Sequence, residues 1–350
     1  MTDFSAAEEA AMRRALELAR TPGVPLGPNP RVGCVLVDPD GGVVAEGHHR
    51  GAGTPHAEAA ALAAAGEAAR GTTAVVTLEP CDHHGRTGPC SRALVEAGVS
   101  RVVFAQPDPN PVAAGGERAL RDAGVDVAFG LLEHEAREVN RAWAFALEHG
   151  RPMMTWKFAT TLDGRSAAAD GSSRWVSSRP ARLDTHRLRA GCDVMLVGSN
   201  TVAVDDPLLT VRDEHDRPLP QQPLRAVMGL RELPADRRVF DDQADTVQLR
   251  THDPHAALKE LHGLDRRHVF LEGGPTLAAA FLRAGLVDEV VCYVAPMLLG
   301  SGRNAVADLG IGTIADARQL TVSDVTTVGD GDETNVRITL NPNQTPRGDG

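Results

Sequence analysis

Near the N-terminus, Ala7, Ala11, Ala15 and Ala19 recur every fourth residue, with Met12 and Leu16 beside them. That spacing predicts one amphipathic helix, opened by the capping box Ser5-Ala-Ala-Glu8 and stopped by Thr-Pro-Gly after Arg20. The period then changes. "RVGCVLVD" (31–38) reads as a buried strand, "DPDGG" as a turn and "VVAEGHH" (43–49) as its hairpin partner. An alanine-rich helix (58–70) precedes a strand, "TAVVTLE" (73–79); a helix (91–98) precedes "RVVFAQ" (101–106). "ERALRDAG" and "VDVAFG" repeat the step, and 134–147 reads as a closing helix. Alternating helices and strands predict a layered α/β domain with a largely parallel sheet.

After a junction at "EHGRP" (148–152) the alternation restarts: a strand at 153–164, a helix at 179–192, and strands at 193–199 and 224–229. A helix "AALKELHG", a strand "HVFLEGG", a helix "TLAAAFLRAG" and a strand "LVDEVVCYVAP" follow. This is a second α/β domain. That last strand reads equally as core or as a strand pairing across a dimer. With 350 residues the chain exceeds one ordinary core. We expect domains at 1–147 and 148–340 and a disordered polar tail at 341–350.

Composition narrows the classes. No apolar run is long enough to span a membrane, and the N-terminus has no apolar signal-peptide core. Five sparse cysteines predict a reducing compartment, the cytoplasm, with thiols serving metal, chemistry or packing. Net charge is −11. Residues 1–147 carry 13 arginines and no lysine against 19 acidic residues, a net of −6. That disfavours a nucleic-acid partner, whose phosphates demand a basic surface. Only Lys157 and Lys259 are lysines, so a lysine inside a motif stands out.

The first chemical constellation is His56, Glu58, Cys81 and Cys90. His56 opens a predicted helix, Cys81 follows a strand across Pro80, and Cys90 follows Pro89 at the next helix start. Such ends gather on one side of an α/β sheet, where ligands bind. One imidazole and two thiolates make a three-ligand zinc site with a fourth position open, and zinc lowers the pKa of water toward neutrality. Glu58 is too close to His56 to be a convenient ligand and is placed to shuttle protons. This ligand set with a non-ligand Glu is the pattern of zinc nucleobase deaminases. Two cysteines separated by eight residues, "CDHHGRTGPC", depart from the usual two-residue gap. A structural zinc site using His83 or His84, or a pair of core thiols, is the plainer alternative; it leaves Glu58 without a role.

The second constellation starts at "TWKFATTLDGR" (155–165), with Lys157 on a strand before an Asp-Gly turn; its plain reading is a hairpin with a snorkelling lysine. Gly198-Ser-Asn-Thr201 follows one strand and Glu272-Gly273-Gly274 another, the latter opening a helix at Pro275. Small residues after strands let a cofactor approach the backbone, and a helix start can hold a pyrophosphate. Each such turn is weak alone.

"GPNPRVGCVLV", "HHRGAGTPHAE", "TLEPCDHHGRTGPC" and "DPNP" together resemble, in order, the deaminase domain of the bifunctional riboflavin-biosynthesis deaminase/reductase family, in which the eight-residue gap is the norm. The second constellation resembles that family's reductase domain, so the resemblance covers roughly residues 5–340. It implies a cytidine-deaminase-like three-layer α/β/α domain followed by a dihydrofolate-reductase-like α/β domain. It implies zinc on His56, Cys81 and Cys90, Glu58 as proton shuttle, and substrate contacts from Asn29, His49 and Arg86. For the reductase it implies NADPH contacts from Ala159, Trp175, Thr201, Asp205 and the stretch Gly274, Pro275, Thr276, Leu277, Ala278, Ala279 and Ala280. Substrate contacts would come from Lys157, Ser173, Ser177, Arg189, Leu209, Arg212 and Glu272, with Lys157 polarising the carbonyl that accepts hydride. Ser173, Ser177, Arg189 and Arg212 make chemical sense as a phosphate clamp. Leu230 departs from the family, which carries a small polar residue there; Gly27 and Gly88 are minor departures. The implied activities are zinc-dependent deamination of a diaminopyrimidinone ribosyl phosphate and NADPH-dependent reduction of its ribose to ribitol. The implied small-molecule partner is that pyrimidine ribosyl phosphate; beside it we expect a homo-oligomer, a dimer, and, from charge and hydropathy, neither nucleic acid nor membrane. A zinc deaminase of another amino-heterocycle or of nucleic acid, with an accessory nucleotide-binding domain, and a non-catalytic zinc protein are the rivals.

Overall fold

The computed structural model describes residues 4–83 and 88–343, in two compact units, Met1–Gly150 and Arg151–Gly350. In the first, helix α1 (Ala6–Ala19) starts at the expected capping box, Ser5 Oγ accepting from Glu8 N–H at 3.2 Å and Glu8 accepting from Ser5 N–H at 2.7 Å. Strands β1 (Gly33–Val37) and β2 (Val43–His48) form the hairpin. Then come α2 (Ala57–Ala65), β3 (Thr73–Val76), α3 (Cys90–Glu96), β4 (Arg101–Phe104), α4 (Gly116–Asp122), β5 (Asp126–Phe129), α5 (Glu133–Val139) and α6 (Arg141–His149).

The five strands lie in the order β2-β1-β3-β4-β5. The sheet is mixed rather than largely parallel: β1 runs antiparallel to both neighbours, and β3, β4 and β5 are parallel. Burial on both faces follows the two-residue period of a strand. Cys34, Leu36, Val76, Val102 and Phe104 face α2 and α3, while Val35, Val37, Val75 and Val103 face α1 and α5. Helices sit against both faces through adjacent glycines. A Cβ on Gly33 would lie 2.0 Å from the Ala15 carbonyl oxygen of α1, and one on Gly47 2.3 Å from that of Ala57 in α2. The closing helix is broken in two at Asn140, whose buried side chain accepts from the Arg31 N–H at 2.8 Å and donates to the Arg31 carbonyl at 2.9 Å.

The second unit contains β6 (Met153–Thr161), β7 (Arg165–Ala167), α7 (Arg179–Ala190), β8 (Val194–Gly198), α8 (Ser199–Asp205), β9 (Leu224–Met228), β10 (Thr246–Leu249), α9 (Pro254–Gly263), β11 (His268–Leu271), α10 (Pro275–Arg283), β12 (Glu289–Ala295), β13 (Arg303–Asn304), β14 (Leu320–Val328) and β15 (Asn335–Pro342). Eight strands lie in the order β10-β9-β8-β11-β6-β12-β15-β14. The first six run parallel, and β15 and β14 add antiparallel. Met154, Trp156, Leu196 and Leu271 bury one face against α9 and α10; Met195, Val197 and Phe270 bury the other.

Three expectations change here. The Asp163-Gly164 turn does not close a hairpin, because β7 pairs with β13 instead of β6. β12 is hydrogen-bonded on both edges, to β6 and β15, so it is a core strand and has no edge left for a dimer partner. β15 reaches Pro342, two residues into the segment expected to be disordered; residues 344–350 lie outside the described residues. No helix among the described residues is long and apolar enough to cross a membrane.

Candidate functional site

In the first unit, His56 is the N-cap of α2 and Cys90 the first residue of α3, while Cys81 follows β3. His56 Nδ1 lies 3.5 Å from Cys81 Sγ and 3.4 Å from Cys90 Sγ, and all three atoms fall within 4.8 Å of one another. Tetrahedral zinc, with Zn–N about 2.0 Å and Zn–S about 2.3 Å, separates a nitrogen and a sulfur ligand by about 3.5 Å. The donor set therefore fits zinc. Cys81 is drawn down, first by its hydrogen bond with Cys90 and, against burial, by His56 as well. Cys90, the donor to Cys81, is pushed up. That direction favours the thiolate of Cys81, the form that binds metal.

Glu58 sits in the first turn of α2 and is buried, which pushes its carboxyl up to about 7 against the pull of its own backbone N–H. A divalent ion beside it would draw that value down. Glu58, His56 and Cys81 open into a cavity of about 170 Å³ that is also lined by Asn29, His49, Asp108 and Asn110. That is several times the ~30 Å³ share of one water, room for a small ring.

The remaining polar lining is pre-set. His49 Nδ1 lies 3.0 Å from the Pro55 carbonyl, which fixes the proton there and makes Nε2 the acceptor for Asn29 Nδ2, also at 3.0 Å. Burial holds the His49 pKa down, against the hydrogen bond with Pro55, and so favours the neutral ring. The Asn29 loop is fastened by Trp143 Nε1 donating to the Pro28 carbonyl at 3.0 Å, next to the Asn140–Arg31 staple. Asp108 and Asn110 of the "DPNP" run, to which the local pattern assigns no role, both line the cavity. Arg86 and His84 lie outside the described residues.

In the second unit, Lys157 is on central strand β6 with Nζ 5.5 Å from the Tyr293 ring centroid. Burial lowers its pKa, opposed by the charge of Glu272. Glu272, just past β11, takes two bonds from Arg189, at 2.6 and 2.7 Å, and Arg189 Nη1 donates to the Thr210 carbonyl at 3.1 Å. Three of the five Arg189 N–H groups are thus engaged inside the protein, and its charge is paired with Glu272. Arg212 donates to Thr210 Oγ1 at 3.1 Å and Asp216 at 2.8 Å. No hydrogen bond joins Ser173 or Ser177 to either arginine among the described residues.

The glycine turns after β9, β8 and β11 follow three neighbouring strands, at one carboxyl edge of the sheet. Thr201 and Asp205 lie on α8, after β8. Gly274 caps α10, is exposed, and has nothing within 4 Å of where a Cβ would stand. This opening at a helix start fits the pyrophosphate of a dinucleotide. Trp175 is 64% exposed, with Arg182 stacked 4.3 Å from its ring, and Leu230 is 58% exposed beside the β9 turn. Two expectations narrow. Ala278 and Ala279 are buried against the sheet, so the open residues of their stretch are Gly274 to Leu277 and Ala280. The Leu209 side chain packs in the core with Val197 and Val227 rather than lining an open site.

A zinc-ligand trio beside a buried carboxylate, and a parallel sheet with a nucleotide-type edge, define a zinc deaminase unit joined to a reductase unit. Residues 5–106 match the cytidine and deoxycytidylate deaminase zinc-binding region, and residues 152–332 match the RibD C-terminal domain. The chain is 50% identical over 303 residues to the riboflavin biosynthesis protein RibD of Mycobacterium tuberculosis, covering 86% of this chain and 89% of that one. It is similar to the solved structure of Acinetobacter baumannii RibD, with TM-score 0.85 and 37% identity, covering 96% and 99% of the two chains. The Thermotoga maritima structure of a diaminohydroxyphosphoribosylaminopyrimidine deaminase/5-amino-6-(5-phosphoribosylamino)uracil reductase is also similar, with TM-score 0.83 and 30% identity over 96% and 99%.

The chain belongs to the RibD family of riboflavin biosynthesis proteins. It is a bifunctional zinc- and NADPH-dependent enzyme, with a cytidine-deaminase-like unit followed by a dihydrofolate-reductase-like one.

Proposed function

We propose that the first unit hydrolyses an exocyclic amine of a diaminopyrimidinone ribosyl phosphate and that the second reduces the opened ribose of the product to ribitol. The observation that carries this reading is the trio of His56, Cys81 and Cys90 at zinc-ligand spacing, with Glu58 buried beside it at the mouth of a ring-sized cavity. Zinc held by that trio would supply an acidified water as the nucleophile. Glu58 takes one proton from the attacking water and gives it to the ring nitrogen; it then takes the proton of the hydroxyl left on the amine-bearing carbon and gives it to the amine, which leaves as ammonia. Asn29, its amide held by His49, keeps its carbonyl for a pyrimidine N–H. Arg86 is assigned to the substrate phosphate.

In the second unit, Gly274 to Leu277, Ala280, Ala159, Trp175, Thr201 and Asp205 would hold NADPH, which supplies the hydride. Lys157 donates to the open-chain carbonyl oxygen and stabilises the charge that develops on it. Ser173, Ser177 and Arg212, with the charge of Arg189, hold the phosphate. Glu272 keeps Arg189 and Lys157 oriented.

The five free cysteines fit a reducing cytoplasm. A homodimer is the expected assembly. β14 is an edge strand with Val322 and Val325 exposed, and light scattering on the purified chain tests the assembly.

The direct test of the reaction is mass spectrometry of products from the zinc-loaded enzyme with and without NADPH. Exchange of amine for oxygen alone, with gain of two hydrogens only when NADPH is present, is the expected result. No conversion with zinc bound would overturn the substrate assignment.

A further inference from the structure

Glu79 lies two residues before Cys81 and is buried. Its carboxylate gathers three backbone N–H groups from one segment. Oε2 accepts from Asp108 at 3.1 Å, and Oε1 accepts from Gly115 at 3.1 Å and Glu117 at 3.0 Å. A carboxylate that merely capped α4 would need only the last two. The bond to Asp108 reaches the far end of the connection between β4 and α4, so one side chain closes that loop at both ends.

Neighbouring contacts run the same way. Glu79 N–H donates to the Gln106 carbonyl at 2.9 Å, and Asp82 N–H donates to the Ala113 carbonyl at 3.1 Å. A Cβ on Gly116 would lie 1.7 Å from the Pro80 carbonyl oxygen, so α4 begins hard against the turn that carries Cys81. Inside the loop the bonds are local: Asp108 Oδ1 accepts from Asn110 N–H at 2.8 Å, and Asn110 Oδ1 from Val112 N–H at 3.1 Å. These set the shape of the loop. Glu79 sets where it stands. Asp108, Asn110 and Ala113 form part of the cavity wall beside the zinc ligands.

We propose that Glu79 is a positioning residue of the deaminase: it holds the 108–117 loop against the strand end bearing Cys81 and so sets how tightly the cavity grips its substrate. Both carboxylate oxygens are taken by the loop, which is why the role is positional. The proposal rests on the deaminase reading above.

The test compares full-length, zinc-loaded wild type with Glu79→Gln and Glu79→Asp. Glutamine presents an NH₂ to backbone N–H groups that need acceptors. Its deaminase KM is expected to rise at least tenfold with kcat within about threefold, at full zinc content and unchanged reductase activity. Aspartate, a carboxylate one methylene shorter, is expected to restore part of the loss. An unchanged KM in Glu79→Gln overturns the proposal. So does a fall in kcat at constant KM, which would place Glu79 in the chemistry, or a loss of zinc. Should Glu79→Gln fail to fold, hydrogen exchange on the wild-type enzyme decides: the Asp108, Gly115 and Glu117 amides are expected to be protected together, and free exchange at Asp108 overturns the clip. Zinc-loaded wild type that does not turn over the pyrimidine would instead sink the deaminase reading, with the exchange result standing independently.

Discussion

Arg189 and Glu272 meet as a two-pronged ion pair, 2.6 Å from Nε to Oε1 and 2.7 Å from Nη2 to Oε2, with side-chain exposures of only 16% and 13%. Burial alone would raise the Glu272 carboxyl; the charge and hydrogen bonds of Arg189, with Lys157 adding, outweigh it and hold the group at about 2. A carboxyl lowered on folding stabilises the protein fully above its ordinary value, near 4.5, and loses that contribution as pH falls toward its folded value. The reductase unit should therefore lose roughly 3 kcal/mol from this group between about pH 4.5 and 2. Urea unfolding followed by NADPH-dependent activity after dilution checks it. Glu272→Gln, less stable at neutral pH because it leaves Arg189 unpaired, should show a shallower acid slope in that window. Equal slopes would refute the assignment.

Lys157 couples to that pair through charge and not through a hydrogen bond among the described residues. Removing it leaves Arg189 and Glu272 bonded, so Lys157→Met should fold. If Lys157 stabilises charge on the reacting oxygen, reduction should slow by about 10²–10³-fold in kcat. NADPH affinity and deamination should be unchanged. Titration of cofactor fluorescence alongside both assays separates this from misfolding, which would lower NADPH affinity and reduction together.

Zinc removal should separate the two activities. Dialysis against a chelator should abolish deamination, leave reduction of pre-deaminated substrate intact, and be reversed by added zinc. Glu58→Gln should keep zinc and lose about 10²–10⁴-fold in deamination. Cys90→Ser should lose the metal itself, as read by elemental analysis. Wild-type deamination in Glu58→Gln would end its role as proton shuttle, and deamination in zinc-free Cys90→Ser would end the metal mechanism.

What could be read from the chain beforehand follows physical range. His56, Glu58, Cys81 and Cys90 were legible because each sits at a helix start or strand end that periodicity marks, and because thiols are scarce. Glu79 was not, since its meaning lies in backbone N–H groups 29 to 38 residues away, which no local pattern encodes. The Arg189–Glu272 pairing is separated by 83 residues and is equally silent. In the fold, strands with two buried faces announced themselves as apolar runs. The exposed edge strand β14 has no buried face to impose a pattern and went unread. The break at Asn140 also depends on a distant partner, the Arg31 backbone.

The close seating of α2 on β2 links packing directly to the metal. A Cβ on Gly47 would stand 2.3 Å from the Ala57 carbonyl oxygen and 2.6 Å from the Ala61 nitrogen, so Gly47→Ala must lift the first turns of α2. His56 caps that helix and Glu58 lies in its first turn. The deaminase unit should lose about 1–3 kcal/mol from overpacking. Displacing the ligand-bearing end should also weaken zinc binding about 10–100-fold, as loss of an orienting contact does. Gly33→Ala is the control. Its Cβ would stand 2.0 Å from the Ala15 carbonyl oxygen, on the opposite face, where α1 carries no ligand. Competition with a chromophoric chelator should show lowered zinc affinity for Gly47→Ala and near-normal affinity for Gly33→Ala at matched loss of stability. Equal weakening in both would mean that zinc affinity reports the stability of the whole unit and not the placement of α2.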